Sequence, residues 1–402
     1  MYDIPSGDLP RLLVFSRLVP ETRSAGSLLL FRLLKGYPAG KLLVIGPRPH
    51  AGSEILPCRY ATLGDVPFAR LYRTRFGRLK RSVTAFGFGG EVSAREAEQL
   101  TKGFHPQVVL TVMEESQYFC AAGHFSTRHN VPLVMLIHDL VELFEPVYSW
   151  AVRRQRMRNS EVCRLAAARM CISPAMAVRV RDVYGVDGDV LFPNRSEELT
   201  PRPIAASEKL RTEGRLTIGY AGGLSYGYAE AIQGILPALK EAGATLRIYS
   251  ARAPEGFGDS VQYGGFASSP LQTWERVKKE CDVVLLPYHW EPGFRDLYQA
   301  HFPSKLPEYL ALGVPVLITG PAYAAGVAWG LQHPRAALTV SDPSQEAMRD
   351  AFIRLRDEPS LRVALATEAV DVGSKEFDPE AIRGQFIQKL REVVSQADSS
   401  CD

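Results

Sequence analysis

Short, wholly apolar runs alternate along this chain with longer stretches in which apolar residues recur at helical spacing. Such runs are typical of strands that are buried on both faces of a sheet. In the first half they predict strands at 12–16, 41–45, 108–113, 133–137, 169–172 and 190–192. The stretches between them predict helices at 25–35, 92–102, 115–128, 149–168 and 174–184. This alternation indicates a parallel sheet with helices on both faces.

The second half repeats the pattern. It predicts strands at 215–221, 244–249, 283–287, 314–318 and 336–340. It also predicts helices at 227–242, 270–280, 304–312, 344–357, 360–372 and 379–396. Residues 197–214 are polar, contain two prolines and lack apolar periodicity, as is typical of a linker. We therefore predict an α/β chain with two doubly wound, Rossmann-like domains, 1–196 and 215–378, followed by a final segment, 379–402. The alternative is a single elongated α/β domain.

Composition narrows the class of protein and its compartment. The chain has 402 residues, 46% of them hydrophobic and 23% charged, which is ordinary for a globular protein. It has no apolar run long enough to predict a transmembrane helix, and its N-terminal residues lack a signal-peptide layout. Six scattered cysteines without a CxxC pair indicate reduced thiols. We predict a cytoplasmic location.

The net charge of +3 conceals a difference between the halves. Residues 1–200 carry 26 Lys and Arg against 19 Asp and Glu, a net charge of +7, whereas residues 201–402 carry 21 against 25, a net charge of −4. One segment, between Asp65 and Glu91, contains no acid and has apolar residues at roughly helical spacing. Its cations are Arg70, Arg73, Arg75, Arg78, Lys80 and Arg81.

This basic amphipathic segment fits an anionic membrane surface or an anionic acceptor. A solvated helix face over the domain core is the alternative interpretation. Nucleic acid is not predicted as a partner, because the chain contains no recognisable nucleic-acid-binding module.

The segment 301–321 combines several features that suit a nucleotide. Ser304 is a predicted helix N-cap, and Lys305 adds a positive charge at a helix N-terminus, an arrangement that favours a diphosphate. Glu308, one turn further on, has a carboxylate suited to the vicinal hydroxyls of a ribose. The alternative is a simple helix cap beside a solvated lysine.

This segment resembles the donor-binding motif of the retaining family 4 glycosyltransferases, which have the GT-B fold. Further similarities occur in the family's order at 168–176, 191–194, 218–224 and 283–288, so the resemblance covers nearly the whole chain. It implies two facing Rossmann-like domains, with the C-terminal helix crossing back to the N-terminal domain. It also identifies Glu308 as the donor-site glutamate.

Two departures from the family pattern change the expected donor contacts. The first of the family's two glutamates would fall at Ala300, and Leu224–Tyr228 replaces the family's Arg and Lys. The diphosphate is then expected to contact Lys305, the helix end at Ser304, and the backbone at Gly222 and Gly223. Arg295, in the loop 288–303, is a further cation that is predicted to fold over the donor.

In the N-terminal domain, His138 follows an apolar strand, and the resemblance implies that it contacts the transferred sugar. A structural histidine is the alternative. Gly26 resembles the family's glycine in a loop that approaches the donor phosphate. Glu114 and Glu115 end another strand, where they suit either an acceptor hydroxyl or a helix N-terminus.

The resemblance implies a retaining, metal-independent transfer of a hexosyl group from a nucleotide sugar to a glycan or lipid-linked acceptor. The acceptor is assigned to the first domain, and surface polysaccharide or glycoconjugate assembly in bacteria is the implied role. No resident cofactor is expected, since the nucleotide sugar is a substrate. The alternatives are a sugar-nucleotide epimerase with the same fold and a non-catalytic scaffold or glycan-binding protein.

Overall fold

The protein consists of two compact units. One comprises Met1–Phe192 together with Glu380–Asp402, and the other comprises Pro193–Pro379. The computed structural model describes residues 9–399, except 24, 65–73, 87–89, 145, 200, 202–209, 211–213, 254, 259, 266 and 268. Arg70, Arg73 and most of the predicted linker 197–214 therefore lie outside the described residues.

In the described part of the first unit, seven parallel strands form one sheet in the order β3-β2-β1-β4-β5-β6-β7. The strands are β1 Leu12–Phe15, β2 Leu42–Ile45, β3 Arg59–Ala61, β4 Val108–Val112, β5 Leu133–Ile137, β6 Ala168–Cys171 and β7 Asp189–Val190. The strand order reverses between β1 and β4, as in doubly wound folds. The helices are α1 Ala25–Leu34, α2 Gly77–Thr84, α3 Gly90–Leu100, α4 Ser116–His129, α5 Val141–Phe144, α6 Ser149–Leu165 and α7 Pro174–Tyr184.

The described part of the second unit has a six-stranded parallel sheet in the order β10-β9-β8-β11-β12-β13. The strands are β8 Thr217–Ala221, β9 Thr245–Tyr249, β10 Val261–Tyr263, β11 Val283–Pro287, β12 Val316–Thr319 and β13 Ala337–Val340. The helices are α8 Tyr228–Glu241, α9 Pro270–Glu280, α10 Arg295–Ala300, α11 Lys305–Ala311, α12 Ala325–Gln332, α13 Gln345–Asp357 and α14 Pro359–Glu376. Its strand order reverses between β8 and β11.

The last helix, α15 (Pro379–Ser399), returns to the first unit. Its apolar side chains, among them Phe386 and Leu390, are fully buried in the same core as Leu12 of β1 and Val44 of β2. The crossing of the C-terminal helix that the resemblance implied is therefore present. None of the described helices combines the length and the apolar character that crossing a bilayer requires.

The sequence pattern missed short elements and one apolar helix. The edge strands β3 and β10 have three residues each, and their exposed positions break the apolar run. Helix α12 is apolar on most of its surface and contains two glycines, which hides any helical periodicity. One of these, Gly330, allows close packing on β13, because a Cβ there would overlap the Thr339 side chain.

Candidate functional site

The candidate site lies at the carboxyl end of the second sheet, where open α/β sheets bind their ligands. Strand β8 ends at Ala221, and the next residue, Gly222, has a φ of +140°. Its N–H donates to the Tyr249 carbonyl at 2.9 Å, at the end of β9. A Cβ at Gly222 would overlap the side chain of Lys305, the first residue of α11. Glycine at this position therefore allows the lysine to lie against the backbone that follows β8.

The Lys305 ammonium rests on aromatic rings. Its Nζ lies 4.2 Å from the ring centroid of Tyr228 and 5.4 Å from that of Tyr220. No carboxylate of the described residues lies within ion-pair distance of it. Burial lowers the pKa of this ammonium to about 8. Lys305 is only partly buried, so the site holds a cation that solvent still reaches and that has no carboxylate beside it, an arrangement that favours binding of an anion.

A cluster of tyrosines lies beside this lysine, and no pattern in the sequence indicated that these residues meet. The Tyr228 ring lies 6.2 Å from that of Tyr288, whose ring lies 5.0 Å from that of Tyr298. The Tyr298 hydroxyl donates to the Tyr226 carbonyl at 2.8 Å and accepts from the His289 N–H at 3.3 Å. These contacts fix the segment between β8 and α8 beside the loop that follows β11.

Glu308 does not lie on an open surface beside the helix terminus. It is 4% exposed, and its Oε2 accepts a hydrogen bond from the Ser196 N–H at 3.3 Å. The buried carboxylate therefore holds the segment that enters the second unit. Whether it also contacts a ribose stays a prediction.

The predicted side-chain cap at Ser304 is wrong. Ser304 occupies the N-cap position of α11 but has helical dihedral angles, and its side chain makes no capping hydrogen bond. Among the described residues the hydroxyl has no hydrogen-bond partner at all. The Leu306 N–H donates instead to the Pro303 carbonyl at 3.0 Å.

Gly223 and Arg295 border the same end of the sheet. A Cβ on Gly223 would meet nothing within 4 Å, so its backbone is approachable. Its carbonyl accepts a hydrogen bond from the Tyr220 hydroxyl. Arg295 begins α10 on the exposed surface, with its guanidinium 5.0 Å from the ring centroid of Tyr323.

Gly222→Ala is expected to lower the free energy of unfolding by about 1–3 kcal/mol, because a φ of +140° is sparsely populated by residues with a Cβ. The added methyl group would also displace the Lys305 side chain. Urea denaturation measures the effect. Gly234→Ala is the matched control, since a Cβ there meets nothing within 4 Å. Equal stabilities for the two variants would contradict the packing that we describe.

In the first unit, His138 follows β5 and is partly buried. The segment after it is fixed by Glu142 of α5, whose carboxylate accepts from Asn159 Nδ2 at 2.8 Å and from the Tyr184 hydroxyl at 2.5 Å. Burial, reinforced by the charge of Glu142, raises the pKa of Tyr184 above its ordinary value. The backbone that carries His138 is therefore held by a polar network.

Two glutamates at the end of β4 lie at the N-terminus of α4, as one of the two interpretations predicted, and both pair with a cation. The Arg17 guanidinium lies 3.5 Å from Glu114 and 2.9 Å from Glu115. Glu115 is the N-cap residue of α4 but makes no side-chain capping hydrogen bond. Burial raises the pKa of the Glu115 carboxyl, while Arg17 and Lys80 act against that rise.

Gly26 lies inside α1 and not in the loop where the sequence placed it. A Cβ at this position would come within 2.7 Å of Leu18 Cδ1. The small residue therefore allows the loop after β1 to pack against the first turn of the helix. A donor contact at Gly26 stays a prediction.

The described cations of the basic segment differ in their surroundings. Arg75 is exposed, whereas Arg78 and Arg81 donate to the carbonyls of Val147 and Pro146. Lys80 is 8% exposed and thus does not belong to the open basic face that the sequence predicted. The helical spacing in this segment corresponds to helix α2. Within the first unit, α2 packs against α6.

No family model and no curated protein matches the chain. Several solved structures are similar to it. HepE of Anabaena, in complex with UDP and glucose, has a TM-score of 0.67 and 15% identity, over 95% of this chain and 100% of that one. Sucrose-phosphate synthase of Thermosynechococcus elongatus has a TM-score of 0.69 and 16% identity, over 96% and 99%. A glycosyltransferase of Rickettsia africae has a TM-score of 0.64 and 12% identity, over 95% and 98%.

These similarities show the fold. The two parallel-sheet, Rossmann-like domains match those of GT-B glycosyltransferases, and the predicted fold class is confirmed.

Proposed function

We propose that the protein is a glycosyltransferase that moves a hexosyl group from a nucleotide sugar to a glycan or lipid-linked acceptor. The observation that carries the proposal is the Lys305 ammonium, which lies on Tyr220 and Tyr228 against Gly222, with no described carboxylate beside it. A diphosphate would supply the missing counter-charge at the edge of the sheet where such folds bind ligands.

The similar structures support a nucleotide sugar as the donor. HepE of Anabaena has been solved with UDP and with UDP-glucose, at 16% identity to this chain in both structures. In this protein, Lys305 would bind the diphosphate, aided by the Ser304 hydroxyl and the backbone at Gly222 and Gly223. Arg295 lies on the exposed surface, from which its guanidinium would cover the donor.

The proposed chemistry is a metal-independent transfer with retention, as the family resemblance implies. The acceptor oxygen forms a bond to the anomeric carbon on the face from which the diphosphate leaves. The acceptor proton passes to a phosphate oxygen of the leaving diphosphate. Lys305 stabilises the negative charge that develops there. His138 is proposed to contact the transferred sugar.

The proposal also covers the acceptor and the place in the cell where the protein works. We assign acceptor binding to residues 1–196, the half of the chain with a net positive charge. A lipid-linked or anionic glycan intermediate fits that charge. The protein would then work at the cytoplasmic face of a membrane, in surface polysaccharide or glycoconjugate assembly.

A panel of UDP-, GDP- and dTDP-sugars tests the proposal. At least one donor is expected to raise the melting temperature and to be hydrolysed slowly without an acceptor. A donor at about 100 times its Kd stabilises the folded state by about 2.7 kcal/mol, which a thermal shift readily detects. Failure of every donor to bind would favour a non-catalytic scaffold.

Glu308→Gln is expected to weaken binding of that donor by about tenfold or more, because a hydrogen bond to a charged group contributes about 1.5–3 kcal/mol. The amide retains an oxygen that accepts from the Ser196 N–H, so the buried contact survives. Isothermal titration measures the affinity, and Glu368→Gln on α14 serves as the surface control. Unchanged affinity in the Glu308 variant would remove this residue from the donor site.

A further inference from the structure

Helix α2 turns its apolar side outward. Phe76, Leu79, Val83 and Phe86 follow one another at helical spacing along α2 and its ends, and each is 45–46% exposed. Two polar residues of the same helix, Lys80 and Ser82, are buried instead. A helix on the surface of a water-soluble domain normally has the reverse arrangement. An exposed apolar face of this kind indicates a surface that is covered by something else.

The start of α6 extends this face with two aromatic residues. Trp150 is 55% exposed, and its ring stacks on Phe86, with centroids 6.0 Å apart and an interplanar angle of 23°. Tyr148 is 37% exposed and lies 6.5 Å from Trp150 on the same surface. The Tyr148 N–H donates to Ser82 Oγ at 2.8 Å, which joins the two helices. The apolar residues of α2 and α6 thus form one continuous surface.

Arginines border this surface. A groove of about 450 Å³ runs along α6 and is lined by Arg153, Arg156 and Arg164 together with Met157, and Glu161 is the acid among its described lining residues. On the α2 side, Arg75 lies 4.9 Å from the ring centroid of Phe76. We call the apolar surface and its arginines the aromatic–arginine face.

We propose that the aromatic–arginine face docks on a bilayer that contains anionic headgroups. Aromatic rings such as those of Trp150 and Tyr148 are favoured at the level of the headgroups, and arginines attract anionic lipids. The exposed side chains of Leu79 and Val83 suit the boundary between lipid headgroups and acyl chains. They would have no role in binding nucleic acid. A second copy of the chain would bring two arginine borders together, where their like charges repel. This inference deepens the proposed function, on whose lipid-linked acceptor it rests.

Cosedimentation of the full chain with vesicles tests the inference without any donor. We expect binding to vesicles of phosphatidylcholine mixed with phosphatidylglycerol, weaker binding in high salt, and little binding to phosphatidylcholine alone. The variant Arg153→Gln with Arg156→Gln is expected to bind about 25-fold more weakly, from about 5-fold for each lost arginine. Trp150→Ala is expected to bind about tenfold more weakly, since it removes apolar area from the interface.

The matched control is Arg128→Gln with Arg181→Gln, which removes the same charge from exposed ion pairs elsewhere in the first unit. This variant is expected to bind vesicles like the unmodified protein, and all variants should retain its melting temperature. Equal weakening in both double variants would overturn the inference. Equal binding to neutral and anionic vesicles would also overturn it. Tighter binding to RNA than to vesicles, or a dimer that Trp150→Ala converts to a monomer, would overturn it as well. Donor binding is measured separately, so loss of donor binding with intact vesicle binding would contradict only the proposed transfer activity.

Discussion

Lys305→Met is expected to lower kcat/KM for the donor by about 10²–10³-fold, the usual effect of removing one group that stabilises charge in the transition state. The ammonium is the cation that lies on Tyr220 and Tyr228, and no carboxylate of the described residues pairs with it. Methionine fills similar space beside Gly222 but carries no charge. The loss is therefore expected in the chemical step and in diphosphate binding, with the fold retained.

Steady-state kinetics with the donor identified by the nucleotide-sugar panel measure this effect. Lys279→Met, an exposed substitution on α9 in the same unit, is the matched control and should leave kcat/KM unchanged. Lys305→Arg, which keeps a cation, is expected to recover part of the activity. If Lys305→Met and the control have equal kcat/KM, another group must hold the diphosphate.

The substitution Lys305→Met is also expected to stabilise the ligand-free protein at neutral pH. Burial lowers the pKa of Lys305 from 10.5 to about 8, so the unfolded chain holds this proton more tightly than the folded one. At pH values below both pKa values, this shift corresponds to an upper limit of about 3 kcal/mol by which the partly buried charge lowers the free energy of unfolding. Lys305→Met removes that cost. This opposition between stability and activity is typical of binding sites.

The sign of the pH dependence follows from these two pKa values. Between about pH 8 and 10.5 the unfolded chain binds more protons than the folded chain, so the unmodified protein gains stability from this group as the pH rises. The difference between the variant and the unmodified protein should therefore shrink across that window. Urea denaturation at several pH values measures it, with Lys279→Met as the reference. A constant difference across the window would show that the lysine is well solvated.

Much of the fold could be predicted from the sequence because the central strands are wholly apolar. Val283–Pro287 and Leu133–Ile137 are fully buried strands with the bounds that their runs predicted. Strands β3 and β10 could not be found in this way, since three-residue edge strands carry too few apolar positions for a pattern. The short helix α10 was missed for the same reason.

The candidate site, like the fold, could be predicted from the sequence only in part. The family resemblance placed Lys305, Glu308 and the glycines after β8 in one expected site, and the structure brings Lys305 and Gly222 together. The tyrosines beneath the lysine could not be predicted to meet, because they come from segments far apart in the chain. Ser304 had the residue type of a cap, but helical dihedral angles at this position exclude the capping geometry.

By itself, the sequence determined the α/β alternation, the two units and the helical spacing of the basic segment, since each depends on residues close together in the chain. Only the tertiary structure decided that Lys305 lies on Tyr220 and Tyr228 and that Glu308 holds Ser196, because ring contacts and long-range hydrogen bonds depend on residues far apart. It also decided the orientation of α2. Periodicity shows that a helix has two unlike faces, but only packing against α6 determines which one is buried. In α2, Lys80 and Ser82 are buried, whereas Leu79 and Val83 lie outward.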